Sequence, residues 1–196
     1  MRTAAGAALA ALLFNGLFPG EARAHLVTTG LGPFYDGISH FALTPEDILP
    51  VLALALLAGL SGPRHGRTAL FVLPVAWLAG GLLGLSRSSE LLMPVLTAST
   101  LLVLGALVAL DRKLPLGLVV GLAAALGLFH GYLNGTAQLG ALGLSGVAAT
   151  LFVVVALAAA FVVSLRAPWT RIAVRVAGSW LVAISMLMLG WTFRAG

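Results

Sequence analysis

Apolar residues gather into six long runs separated by short polar breaks: Glu46–Leu60, Thr68–Leu85, Leu91–Leu110, Leu116–Leu133, Leu139–Leu165 and Ile172–Phe193. Most approach the roughly 20 residues that a helix needs to cross a hydrocarbon core of about 30 Å. The runs are apolar on every side rather than along one stripe, which predicts helices facing lipid. None alternates with the period of two that barrel strands require. The pattern predicts an all-α membrane protein, with a six-transmembrane-helix bundle over residues 25–196. The first run is short, about 22 Å of helix at 1.5 Å per residue. Either it is sunk below the surface, leaving a vestibule above it, or Phe41–Leu43 complete it. The stretch before it, Gly30–Thr44, holds Gly, Pro, Tyr and Asp. It predicts a partly helical or re-entrant segment, tolerated only where protein or water covers it.

Residues 1–24 differ in kind. Arg2 supplies a charged start, Ala4–Phe18 a short apolar core, Pro19-Gly20 a break, and Ala22-Arg23-Ala24 a small-x-small cleavage pattern. This predicts a cleaved signal peptide, with an uncleaved anchor as the rival reading. Cleavage would leave His25 as the first residue on the non-cytoplasmic side. Loops after runs one, three and five then lie inside. They carry Arg64, Arg67, Arg112, Lys113, Arg166 and Arg171, with Arg175 one turn on, whereas only Arg87 and Arg194 lie outside. The positive-inside rule therefore agrees with the signal segment, and both termini are expected in the periplasm of a bacterial inner membrane.

Composition narrows the function classes. Hydrophobic residues make up 60% and charged residues 9%, against about 45–50% and 25% in soluble domains. Too little polar surface remains for a soluble enzyme, a disordered tail or a nucleic-acid binder. The net charge of +5 comes from cations scattered between apolar runs, not from a patch. There is no cysteine, hence no disulfide, thiolate metal site or cysteine nucleophile. Neither a Walker pattern nor a zinc-protease pattern occurs, and the chain is not expected to be an enzyme. In run four, Gly127, Gly131 and Gly135 recur every four residues, a spacing that lets helices approach closely. Gly140, Gly143 and Gly146 predict a second tight region at the outer end of run five.

His130 is the most telling side chain. It lies about two-thirds along run four, and an ionisable group at that depth should face the bundle interior and have a partner. Asn134, four residues on, shares its face. The pair is either a metal ligand or proton carrier, or an interhelical hydrogen bond. Asp36, His40 and Asp47 would share a face if one helix carried all three, which Pro45 makes doubtful. Two carboxylates around an imidazole suit nickel, cobalt or zinc. Thr44-Pro45-Glu46-Asp47 also reads as a helix start, with Thr44 as cap and Asp47 in the capping-box position. His25 would offer its amine and ring to one ion. His65 reads as an inner-loop residue, and Glu90 as a helix start.

Two segments resemble the HupE/UreJ family of nickel and cobalt permeases. The family's first motif, H-P-x-x-G-x-D-H, is matched in part by His40-Phe41-Ala42-Leu43-Thr44-Pro45-Glu46-Asp47, and its F-H-G-H-x-H-G motif by Phe129-His130-Gly131-Tyr132-Leu133-Asn134-Gly135. His40 and His130 stand in the family's positions. Glu46 replaces Asp, Asp47 replaces His, and Tyr132 and Asn134 stand where His is frequent, so the site is richer in oxygen. The resemblance implies secondary metal transport, or delivery of metal to an enzyme such as hydrogenase or urease.

The expected function is an inner-membrane permease for a divalent transition metal, with nickel or cobalt first and zinc or copper next. Its metal residues are His25, Asp36, His40, Glu46, Asp47, His130 and Asn134. The expected partners are the dication, the lipid bilayer and a metalloenzyme maturation system, with no tightly bound cofactor. Affinity should fall as pH drops through roughly 6–7, because imidazole binds metal in its neutral form. No strong ligand lies in the inner half, where Thr97, Ser99 and Thr100 are the only weak donors. An accessory protein that binds metal without passing it therefore stays open as the second reading, and an intramembrane enzyme as the third.

Overall fold

The computed structural model describes residues 28–87 and 93–195. The expected signal peptide, His25 and Glu90 lie outside them. Among the described residues there are seven helices and no strand: α1 (Pro33–Leu43), α2 (Pro45–Ser61), α3 (Pro63–Gly84), α4 (Met93–Ala109), α5 (Leu116–Thr136), α6 (Gly140–Ser164) and α7 (Pro168–Ala195). Four of them, α3, α5, α6 and α7, are long and apolar enough to cross a membrane. The pair α1–α2 passes the same test together, but bends by 75° at its break, and α4 is a shorter apolar helix.

The break follows from local chemistry. Pro45 lacks an N–H and disfavours helical backbone at the residue before it. Thr44 is accordingly extended, at φ −107° and ψ 93°. Its hydroxyl donates to the His40 carbonyl at 2.6 Å, closing α1. Thr44 thus occupies the N-cap position of α2 but makes no side-chain cap there. Phe41–Leu43 belong to α1, across the bend from the first apolar run. Similarly, α3 begins at Pro63, five residues before the apolar run, so Arg64, His65 and Arg67 sit in its first turns rather than in a loop. Gly62 makes this possible. At φ 116° it ends α2, donating to the Ala58 carbonyl at 3.1 Å, and starts α3 at once.

The short helix α2 is the centre of the bundle. Val51, Ala53, Leu54, Ala55, Leu57 and Ala58 are all fully buried. Its all-round apolarity meets protein, not lipid, and its small residues let neighbours close in from several sides. The opposite pattern marks the outer helices, where Phe71, Val75, Leu157, Phe161, Trp180 and Leu187 are exposed, as a lipid-facing surface requires.

Glycines set the closest contacts. Gly131 of α5 lies on the Trp77 carbonyl, Gly135 on that of Gly81, and Gly127 on Leu73 and Ala76, all of α3. Gly37 and Gly146 bring α1 equally close to α6. At the arginine-rich end, Arg171 of α7 holds Asp111, just after α4, through two bonds of 2.6 and 2.8 Å. Arg175 donates to the Ala109 carbonyl at 3.1 Å. The Arg171 side chain is 42% exposed, so water screens this pair. Asp111→Asn should lower stability by only about 0.5–1 kcal/mol, measured as thermal unfolding of the purified protein in detergent.

Candidate functional site

Five side chains from four helices form one closed polar network in the bundle interior. Asp47 is the third residue of α2, and His130 and Asn134 lie one turn apart on α5. His130 Nδ1 is 2.9 Å from Asp47 Oδ1, and Asn134 Nδ2 donates to Asp47 Oδ2 at 2.8 Å. Trp77 of α3 donates its indole N–H to Asn134 Oδ1 at 3.1 Å. On the far side of the imidazole, His130 Nε2 is 3.0 Å from Thr100 Oγ1 of α4. His130 is 0% exposed, and Asp47 and Asn134 are 3% each.

The donors fix the orientation of every member. An indole N–H can only donate, so it must face the oxygen of Asn134. The amide nitrogen is thereby left to donate to Asp47. An ionised carboxylate only accepts, so Nδ1 of His130 carries the hydrogen that Asp47 receives. Nε2 is then the free variable. The Thr100 hydroxyl is also 2.7 Å from the Thr97 carbonyl. With its hydrogen on that carbonyl, Nε2 must donate. With its hydrogen on Nε2, the imidazole is neutral and presents a lone pair towards α4. Aromatic rings enclose the site: the Trp77 ring centroid is 5.6 Å from that of His130, Phe129 is 5.2 Å away, and Phe41 stands edge-on to Trp77. Among the described residues no buried side-chain N or O lacks a partner.

The sequence-predicted residues separate into three groups. Asp47, His130 and Asn134 are brought together, and Asp47 spends both carboxylate oxygens there instead of completing a capping box. His40 is half-buried and near enough to Glu46 and Asp47 to feel both charges, while Glu46 is exposed. Asp36 is turned away, accepting from the Thr29 backbone N–H and hydroxyl at 2.6 Å each. Among the described residues, no three His, Cys, Asp or Glu side chains gather closely enough to hold a metal ion. Among the described residues, the other side chains bonded to the Asp47–His130 pair are Asn134 and Thr100. Thr97 and Thr100 lie at the level of His130, not in the half of the bundle nearer the arginines. Towards the arginine-rich end the core around α2 is apolar: Leu54, Leu57, Leu104 and Val108 are all buried. Sequence reasoning missed Trp77. Its signal was a tryptophan deep in a span, where the indole N–H must find a partner.

The sequence model of the family described as HupE / UreJ protein matches residues 11–188. The chain belongs to the HupE/UreJ family. Neither the curated proteins nor the solved structures offer a significant match to it. In this HupE/UreJ protein the two segments that carry the resemblance meet in space, although Asp47 and His130 are 83 positions apart. The departures from the family pattern meet as well: Asp47 and Asn134, both standing where histidine is frequent, bond to one another. A carboxylate and an amide can satisfy each other's lone pairs and hydrogens in a dry interior, where either alone would be costly.

Proposed function

We propose that this HupE/UreJ protein is a permease, not an enzyme, for a divalent transition metal, with nickel or cobalt as the expected cargo. The observation that carries the reading is the fully buried His130, held by Asp47 through Nδ1 with Nε2 turned to a displaceable hydroxyl. A histidine ligating metal commonly gives its other ring N–H to a carboxylate, which fixes the tautomer and raises ligand basicity. In this reading His130 Nε2 is the ligating nitrogen, and Asp47 positions it and supplies negative charge against the dication. The Thr100 hydroxyl yields its place to the cargo. Imidazole suits nickel better than magnesium or calcium, and few strong ligands keep binding weak enough for release. The described helices fit six spans if α4 and the bent α1–α2 pair each count as one. The arginine-rich end then faces the cytoplasm of a bacterial inner membrane, and both termini face the periplasm.

The apolar core below the site favours a second reading, in which the protein binds metal for a metalloenzyme assembly partner without passing it. As a permease, the chain would need α2 and its neighbours to part there, a hydrophobic gate of the kind that channels use. Uptake of Ni²⁺ or Co²⁺ into proteoliposomes loaded with a metal-sensitive dye decides between them. The permease accumulates metal, whereas the accessory protein binds it and leaves the lumen empty. Within the same assay Asp47→Asn should weaken metal affinity by about 10–100-fold. The new amide can still accept from Nδ1, but its NH₂ now opposes the NH₂ of Asn134. Unchanged affinity would reduce Asp47 to a structural partner of His130 and Asn134.

A further inference from the structure

The ends of α2, α4 and α7 away from Arg171 and Arg175 border an open cavity of about 580 Å³, whose wall includes Glu46, Thr97, Leu187, Met188, Trp191 and Thr192. We infer that this cavity is the vestibule through which the dication reaches the buried pair, with Glu46 as its first ligand and Thr97, Met188 and Thr192 as its inner wall. The identity of the cargo rests on the permease reading; the cavity as a cation site does not need transport.

Three observations converge. The first is the division of labour between neighbours on α2. Consecutive residues on a helix point about 100° apart, so Glu46 reaches the cavity while Asp47 turns into the bundle towards α5. One carboxylate is exposed and the next is 3% exposed. An exposed charge at a low-dielectric mouth concentrates cations there.

The second is a line of oxygens along α4. Thr97 forms part of the cavity wall, and its carbonyl accepts from the Thr100 hydroxyl, which lies 3.0 Å from His130 Nε2. The nitrogen assigned to the cargo therefore faces the helix that borders the cavity. Thr97, in the cavity wall, and Thr100, at the imidazole, are about one turn apart on the same helix.

The third is size and softness. A water occupies about 30 Å³ of liquid, so six waters around an octahedral ion need roughly 180 Å³, and the cavity holds them. The Met188 thioether is a soft donor, which favours a transition metal over magnesium or calcium. The cavity also has a cause in the sequence. Near the arginine-rich end α4 and α7 touch through Gly105 against Leu181 and Gly178 against Ala109. At the other end no such glycine contact joins the two helices among the described residues, and the half-buried Met188 lies in the cavity wall.

The absence of cysteine makes the test clean. T192C places a single thiol in the cavity, and S145C places one on a partly exposed position of α6 at the same end of the bundle. Both are reconstituted in liposomes and treated with a membrane-impermeant cationic thiol reagent. Millimolar Co²⁺ should slow modification of T192C at least fivefold and leave that of S145C unchanged. Modification of T192C should cut the initial rate of Co²⁺ uptake at least tenfold relative to the same protein before treatment. Glu46→Gln should raise the KM for uptake about tenfold, with the maximal rate within twofold. Modification of T192C with no protection by Co²⁺ and no effect on uptake would overturn the vestibule and mark the cavity as a lipid-filled crevice. Protection of T192C by Co²⁺, with no metal accumulated by either T192C or the wild-type protein, would uphold the cavity as a cation site and reject the permease reading.

Discussion

His130→Ala is expected to abolish metal accumulation and to lower stability by about 3–5 kcal/mol, the cost of removing one partner from a buried charged pair. The loss has two parts that a single variant mixes. The nitrogen proposed to ligate the cargo disappears, and Asp47, 3% exposed, keeps a carboxylate with one oxygen stripped of its donor. A double variant, Asp47→Leu with His130→Leu, separates them. Replacing both partners of a buried pair by apolar groups is often neutral or stabilising, so the double variant should recover most of the thermal stability lost by His130→Ala. It should recover none of the uptake. The two readouts are unfolding in detergent and Co²⁺ entry into proteoliposomes. Unaltered uptake in His130→Ala would reject the histidine as a ligand. A double variant no more stable than the single one would show that the pair's role in the fold goes beyond mutual satisfaction.

Gly131→Val should be nearly as damaging, although the residue carries no chemistry. A methyl group at 131 would overlap the Trp77 carbonyl of α3. Backbone cannot rotate away as a flexible side chain can, so α3 and α5 must separate. Overpacking of this kind costs about 1–3 kcal/mol, and more where backbone is the obstacle. The same displacement carries His130 and Asn134 away from Asp47 and breaks the Trp77–Asn134 bond. Metal uptake should therefore fall with stability. Gly121→Ala on the same helix is the matched control. Nothing lies within 4 Å of a methyl group there, and stability should be unchanged or slightly raised, since alanine favours helix over glycine by up to about 1 kcal/mol. Equal unfolding temperatures for Gly131→Val and wild type would refute the close contact.

How the sequence divides from the tertiary structure can be followed residue by residue. Helical periodicity places His130 and Asn134 on one face, the four-residue glycine row marks the side of α5 that approaches a neighbour, and Pro45 breaks the chain before α2. Each is a local rule acting over a turn or two, so each is legible without coordinates. Depth is legible too, because an imidazole far inside an apolar run must find a partner. Which partner it finds is not. His40, Glu46 and Asp47 are nearly equal candidates along the chain, and a single residue step of about 100° separates a residue facing α5 from one facing the cavity by α4 and α7. The break at Thr44 alters the phase of α1 against α2, leaving His40 beside the site rather than within it.

The sequence by itself determined that the chain is helical, apolar and asymmetric in charge, and that its few buried donors must be shared between helices. Only the tertiary structure decided that α2 stands at the centre, that Trp77 orients Asn134, and that Asp47 is the carboxylate His130 receives. The reason is physical. Within lipid every helix is already surrounded by apolar matter, so hydrophobicity does not rank one neighbour above another. That ranking comes from close approach at small residues and from hydrogen bonds across helices, and both depend on three-dimensional fit between segments dozens of residues apart.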